Sequence, residues 1–269
     1  MAVRSALYTV MERAARKAGR ALTRDFGEIE NLQVSVKGPG DFVSNADHKS
    51  ENLIRQELER ARPGYGFLME EGGEIAGDGI NRWIIDPLDG TTNFLHGIPH
   101  FAISIALERE NQIIAGLIHN PIQDEMYFAE RGQGSFLNDR RLRVSGRRTL
   151  DNSLIGTGIP FRDRGDHDIY LDTLSVVMER TAGVRCAGAA ALDLAYVAAG
   201  RLDGFWEYGL NAWDIAAGIV LIREAGGFIE DIDGRADVLG SGNVLAANTH
   251  LLGPLGRMLR QASKPAPAA

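Results

Sequence analysis

The segment Trp83-Ile84-Ile85-Asp86-Pro87-Leu88-Asp89-Gly90-Thr91-Thr92-Asn93-Phe94 sets two carboxylates three residues apart, with a glycine and two threonines directly behind them. The apolar run predicts a buried strand that delivers Asp86, and Pro87 is expected to stop its ladder because it has no N–H to give. Gly90 permits a sharp turn, and Thr91 and Thr92 can open a short helix through Asn93 and Phe94. Hard oxygen ligands suit Mg²⁺ at about 2.0–2.1 Å, and two carboxylates on one rigid turn can serve adjacent ions. The Leu88 carbonyl between them is a third donor. Backbone N–H groups of Gly90 and Thr91 would face outward at the helix start, where an anion is favoured. Taken alone, Asp-x-x-Asp-Gly also reads as a plain turn.

Other carboxylates stand at similar junctions. Glu70-Glu71 follows the short apolar run Gly66-Phe67-Leu68-Met69, and Asp214 follows Trp213 at the start of a helix. Asp47 lies in Ser44-Asn45-Ala46-Asp47, which resembles a capping box. Each has a purely structural alternative, a solvated strand end for Glu70-Glu71 and a helix cap for Asp214 and Asp47. The formal net charge of -7 disfavours a broad nucleic-acid footprint. It also means that a phosphate could be held only through local positive charge, which bound cations would supply.

Other phosphate chemistries fit poorly. A Cys-x₅-Arg loop needs Arg at 192, where Leu192 stands, and no Gly-x₄-Gly-Lys-Ser/Thr loop occurs. Asp231-Ile232-Asp233-Gly234 reads as a turn, His96, His100 and His119 as structural or rim residues, and Cys186 as a packed small side chain. Arg140-Arg141 and Arg147-Arg148 read as solvated surface.

The elements that must position these groups follow from periodicity. Leu7, Val10, Met11, Ala14, Ala15, Ala18 and Leu22 predict an amphipathic first helix. A break at Gly38-Pro39-Gly40 precedes a second helix that stops at Arg62-Pro63-Gly64. Short buried strands are expected at 66–69 and 82–85, and strands at 101–107, 112–119 and 125–129 predict an antiparallel meander, with a turn at Glu110-Asn111. Beyond residue 150 the pattern alternates: helix 166–181, strand 184–186, helix 189–199, strand 204–207, helix 214–225, strands 227–229 and 243–247, helix 250–261. The expected organisation is 1–150 as helices plus antiparallel sheet, 151–262 as an α/β part, and 263–269 as a disordered tail. With 269 residues, 44% of them hydrophobic, the chain can bury a large core unaided. One cysteine excludes an internal disulfide, and no apolar run is long enough for a signal peptide or membrane span, so a cytoplasmic protein is expected.

With these residues in hand, the chain resembles the inositol monophosphatase family of lithium-sensitive, metal-dependent phosphatases, in its bacterial form. The match is carried by 83–94 and by Trp213-Asp214-Ile215-Ala216-Ala217-Gly218 followed by Glu224-Ala225-Gly226-Gly227, and it extends over nearly the whole chain. The resemblance implies an α/β fold layered as an αβαβα sandwich, a homodimer, and two or three Mg²⁺ ions. It casts Glu70, Asp86, the Leu88 carbonyl, Asp89 and Asp214 as metal ligands, with Asp86 bridging. Gly90 and Thr91 become phosphate binders. Glu70 and Thr91, partnered by Asp47, become the groups that activate water. Asp89, Gly188, Ala189, Ala190, Glu207 and Asp214 become substrate contacts, and Lys37 falls in a loop that can complete a third metal site. Ala189 stands where many relatives carry a hydroxyl, and Asn211-Ala212 is another variable spot. Both bear on substrate preference rather than on the ligand set.

The resemblance implies hydrolysis of small phosphate monoesters, inositol monophosphate first among them, with no membrane and no nucleic-acid partner. Fructose 1,6-bisphosphate, histidinol phosphate and 3′-phosphonucleotides are the rival substrates, although Thr92-Asn93-Phe94 is closer to the inositol branch than to the nucleotide branch. A partner-binding protein on a phosphatase-like scaffold is the rival class, and it would have no need for the full acidic set.

Overall fold

The computed structural model describes residues 5–28, 34–38, 41–160, 166–235 and 237–263, with the side chains of 34–38 and 41–44 set aside. The Lys37 side chain, the Ser44 cap, the Pro39-Gly40 break and the tail from 264 lie outside the described residues.

Helix α1 (Ala6–Phe26) begins where the Ser5 hydroxyl accepts from the Tyr8 N–H, 3.0 Å away. Strands β1 (Val34–Gly38) and β2 (Asp41–Ser44) form a hairpin that the sequence reading did not anticipate, and α2 (Asn45–Ala61) follows. Then come β3 (Gly66–Met69), β4 (Gly73–Ile75), β5 (Asn81–Asp89), the short α3 (Thr91–Leu95), β6 (Ala102–Arg109), β7 (Gln112–Asn120), β8 (Glu125–Glu130), β9 (Gly134–Leu137) and β10 (Arg140–Arg141). These eight strands make one sheet in the order β10-β9-β8-β7-β6-β5-β3-β4, a meander from β5 onward with β3 parallel to β5. Glu110 and Asn111, both at positive φ, make the tight turn between β6 and β7.

The second part supplies β11 (Leu154–Thr157), α4 (His167–Arg180), β12 (Gly183–Arg185), α5 (Ala190–Ala198), β13 (Gly204–Glu207), α6 (Ala212–Glu224), β14 (Phe228–Asp231), α7 (Val238–Ser241), β15 (Val244–Ala247) and α8 (Leu252–Ala262). Its five-stranded sheet has the order β12-β11-β13-β15-β14. The layers are α1 and α2, the large sheet, α5 and α6, the small sheet, and α4 with α8. This is the αβαβα arrangement expected. Strand β11 and helix α7 were not anticipated.

Alternation on the large sheet decides which helices it can hold. Trp83, Ile85, Ile103, Ile105, Leu107 and Leu117 point to the α1/α2 side, where large side chains fill the core. The opposite face carries Ala102, Ser104, Ala106 and Gly116, so α6 can approach closely. A Cβ at Gly116 would lie 2.7 Å from the Ala217 carbonyl oxygen.

One expectation is corrected here. Pro87 does not end the strand: β5 runs to Asp89, pairing Asp86 with Ser104 and Asp89 with Ala102. Three steps on β5 face two on β6, so the strand carries a one-residue bulge. Proline is tolerated at a bulge because that position need not donate to the ladder.

Gly116→Ala should therefore push α6 off the sheet and cost about 1–3 kcal/mol of stability by overpacking. Urea unfolding measures it, and an unchanged midpoint would show that this contact does not fix the helix.

Candidate active site

A cavity of about 350 Å³ opens where the bulged end of β5 meets the N-termini of α5 and α6. Glu70, Asp86, Leu88, Asp89, Gly90, Thr91, Gly188, Ala189, Ala190, Glu207 and Asp214 all line it. Asp47, buried in the first turn of α2, is not among the lining residues, but its charge acts on Glu70. Larger hollows exist elsewhere, one of them along Arg82, Gln112 and Arg223, with none of this acidic set in its lining.

Each aspartate is held by a backbone N–H. The Leu88 N–H donates to Asp86 Oδ1 at 2.9 Å, the Ala191 N–H to Asp89 Oδ2 at 2.8 Å, and the Asn211 N–H to Asp214 Oδ2 at 2.7 Å. The second bond has a local cause. Helix α5 starts at Ala189, which has no side chain able to cap it, so Asp89 caps it from across the cavity. Asp214 belongs to the third position of α6, with Asn211 as the cap residue.

Five further bonds lock these pieces together. Ser50 Oγ donates to the Pro87 carbonyl at 2.8 Å, anchoring the bulge to α2. Thr91 Oγ1 donates to the Leu88 carbonyl at 2.9 Å. Ser104, paired with Asp86 across the sheet, donates to the Trp213 carbonyl at 3.2 Å and so ties the Asp86 strand to the Asp214 helix. Asn93 Nδ2 lies 2.8 Å from the His100 carbonyl and 2.9 Å from that of Ala187. Gly90 has φ of 90°, and a Cβ there would sit 3.0 Å from the His100 carbonyl oxygen, so this turn requires glycine.

Crowding shows in the electrostatics. Burial first, then Asp214, Asp47 and Glu71, push Glu70 up to about 8, opposed by a hydrogen bond shared with Asp86. Asp86 is driven well up by burial, then by Glu70, Asp89 and Asp214. Asp89 is driven well up by burial and then Asp214. Burial also raises Glu207 strongly.

Among the described residues, no three His, Cys, Asp or Glu side chains form a ready-made cage for a metal ion. Their oxygens are turned toward backbone N–H groups and one another. The donor set nevertheless fits a hard divalent cation: it is all oxygen, it is closely packed, and no Lys, Arg or His is among the described lining residues.

Several residues here escaped the sequence reading. Ser50, Asn93 and Ser104 act through bonds to carbonyls remote in the chain, which leave no local signal. Asp193 lines the same cavity, and a charged residue inside the apolar run Ala190-Ala191-Leu192-Asp193-Leu194-Ala195 is a mark that could have been used. Cys186 is exposed and lines the cavity rather than being packed away, because it follows the end of β12. The other readings held more simply. Asp231-Gly234 is a turn closed by the Gly234 N–H onto the Asp231 carbonyl at 2.8 Å. His119 is buried against Gly19 of α1 and driven down to about 4 by burial.

Residues 4–264 match the inositol monophosphatase family. A protein of Mesorhizobium japonicum named inositol-1-monophosphatase is 65% identical over 91% of this chain and 92% of its own length. The Nus factor SuhB of Pseudomonas aeruginosa is 47% identical over 90% of this chain and 92% of its own. The crystal structure of extragenic suppressor protein suhB from Bartonella henselae superposes with a TM-score of 0.93 at 57% identity, covering 96% of this chain and 99% of that one. The family match and the names of the relatives make the chain a phosphoric monoester hydrolase. The chain belongs to the inositol monophosphatase family.

The raised Glu70 carboxyl gives a pH signature. Between the ordinary carboxylate value and about 8, the folded protein holds a proton that the unfolded chain has released. That stabilisation is complete below the ordinary value and is lost as pH rises through about 8. Without divalent cations, the unfolding midpoint should fall more steeply over this window in the wild type than in Glu70→Gln. Equal slopes would take Glu70 out of the coupled set.

Proposed function

We propose that the protein hydrolyses myo-inositol monophosphate to inositol and phosphate in a Mg²⁺-dependent reaction. The observation that carries this reading is the gathering of Glu70, Asp86, Asp89 and Asp214 in one cavity with no cationic side chain among the described lining residues. Glu70, Asp86, the Leu88 carbonyl, Asp89 and Asp214 would hold two or three Mg²⁺ ions. Bound there, Mg²⁺ would act as a Lewis acid, lower the pKa of water and offset the charge of the phosphate and the departing alkoxide.

The chain's own groups have separate tasks. The Gly90 and Thr91 N–H groups bind phosphate oxygens. Thr91 Oγ1 already donates to the Leu88 carbonyl, which leaves its lone pairs to accept. Glu70, its proton affinity raised by the Asp47 charge, takes the proton of the attacking water, and Thr91 Oγ1 accepts a hydrogen bond that orients it. Water adds to phosphorus in line as the phosphorus–oxygen bond to the alcohol breaks, and the alkoxide leaves with a proton. The Gly188-Ala189-Ala190 segment, Glu207, Asp89 and Asp214 receive the alcohol. Ala189, lacking a hydroxyl, contributes shape only.

The same reading makes the protein a lithium-sensitive cytoplasmic homodimer. No helix among the described residues is long and apolar enough to cross a membrane. The name of the Pseudomonas relative supports a second role, that of a Nus factor, alongside the enzyme activity. Retention of partner proteins by Asp86→Asn in a pull-down would separate that role from catalysis.

Phosphate release should require Mg²⁺ and be fastest on inositol 1-phosphate, ahead of fructose 1,6-bisphosphate, histidinol phosphate and 3′-phosphoadenosine 5′-phosphate. Asp86→Asn and Asp214→Asn should each lose at least about a hundredfold in kcat/KM. Full activity in both variants would end this assignment, and a different preferred ester would keep the mechanism and move the substrate.

A further inference from the structure

Asp193 is a costly residue where it stands. It sits inside α5, is 2% exposed, and has no hydrogen-bond or ion-pair partner for its carboxyl among the described residues. Its flanking residues on the helix are buried and apolar, so an apolar side chain would fit the layer better. Burial alone pushes its carboxyl up to about 8. Buried polar groups without partners call for an explanation, and an absent ligand is one.

Its neighbours say which ligand. Asp193 lines the cavity, and its charge acts on Glu207 and Asp89; it also borders a neighbouring hollow that Arg185 and Arg201 line. Glu207 occupies a niche left by Gly158: a Cβ there would lie 2.0 Å from its carboxyl carbon. The described lining also includes Ile159, Ala189, Ala190 and Leu210, which offer no polar side chain, and the Cys186 thiol, on which both carboxyls act. Two carboxyls on an apolar floor present acceptors for hydroxyl donors. Neither protonation state supplies a counter-charge for a second phosphate.

We propose that Asp193 and Glu207 together read the hydroxyl groups of the leaving alcohol, which makes Asp193 a specificity-determining residue for neutral polyol monophosphates. The inference rests on the phosphatase reading and narrows its substrate class. A site built to bond hydroxyls rejects analogues that lack them far more strongly than an apolar pocket does.

The test is a kinetic comparison of the full-length wild type, Asp193→Asn and Asp193→Leu with Mg²⁺ on three esters. These are inositol 1-phosphate, p-nitrophenyl phosphate, which has no alcohol hydroxyl, and fructose 1,6-bisphosphate. In Asp193→Leu the kcat/KM ratio of inositol 1-phosphate to p-nitrophenyl phosphate should fall at least about tenfold, mostly through KM. The preference for inositol 1-phosphate over the bisphosphate should narrow, and Asp193→Asn should fall between. Melting temperature should hold or rise in Asp193→Leu, since a buried carboxyl has been removed. A parallel loss on all three esters in both variants, or an unchanged ratio, overturns the proposal. A wild type that releases phosphate from none of the three overturns the phosphatase reading and this inference with it.

Discussion

Mutual repulsion among buried carboxylates is the constraint around which this fold is arranged. Burial first, and then the charges of one another and of Asp214, raise the proton affinity of Glu70, Asp86 and Asp89. Left to itself such a cluster would swell or take up protons. The chain restrains it with backbone dipoles: the Leu88, Ala191 and Asn211 N–H groups each hold one oxygen of one aspartate. Two of these donors lie in or just before the first turn of a helix, where free N–H groups need acceptors in any case. One geometry thus meets the needs of both partners.

Holding the cluster also requires that segments far apart in sequence keep a fixed relation. The large sheet achieves this by being bulky on one face and small-sided on the other where α6 crosses it. Trp83, Ile103 and Ile105 seat α1 and α2, while Ala102, Ala106 and Gly116 admit α6 almost to the backbone. Ser104 and Asn93 then convert proximity into register by bonding to the Trp213 and Ala187 carbonyls. Packing brings the halves together, and these polar bonds set where along the interface they rest.

The layered fold was largely legible because its helices and meander strands have strong periods, and the acidic set was legible because it follows strand ends. What escaped has physical reasons. Pro87 reads as a strand terminator only if the strand is regular, and the extra residue in the ladder removes that premise. Strand β11 is four residues long and parallel to both neighbours, so it lacks the alternation that betrays an exposed-edge strand. Asp214 was read near a helix start without its cap, because Asn211 lies before an alanine and a tryptophan rather than before a familiar apolar run. Roles such as those of Ser50 and Ser104 depend on carbonyls that only the tertiary structure brings near. Cys186 was misplaced because a thiol is equally at home in a core and at a rim.

The capping of α5 by Asp89 has a consequence for how the protein comes to life on the ribosome. Strand β5 and the meander emerge early, so the large sheet can close over α1 and α2 while its other face still waits for α5 and α6. During that interval Asp89 has no helix to cap, and Asp86 has no Asp214 beside it. The acidic cavity comes into being only when the last third of the chain docks, through contacts distant in sequence and slow to form. A half-made chain thus carries half a cavity, and a cation arriving early finds only Glu70 and the Asp86–Asp89 turn to hold it.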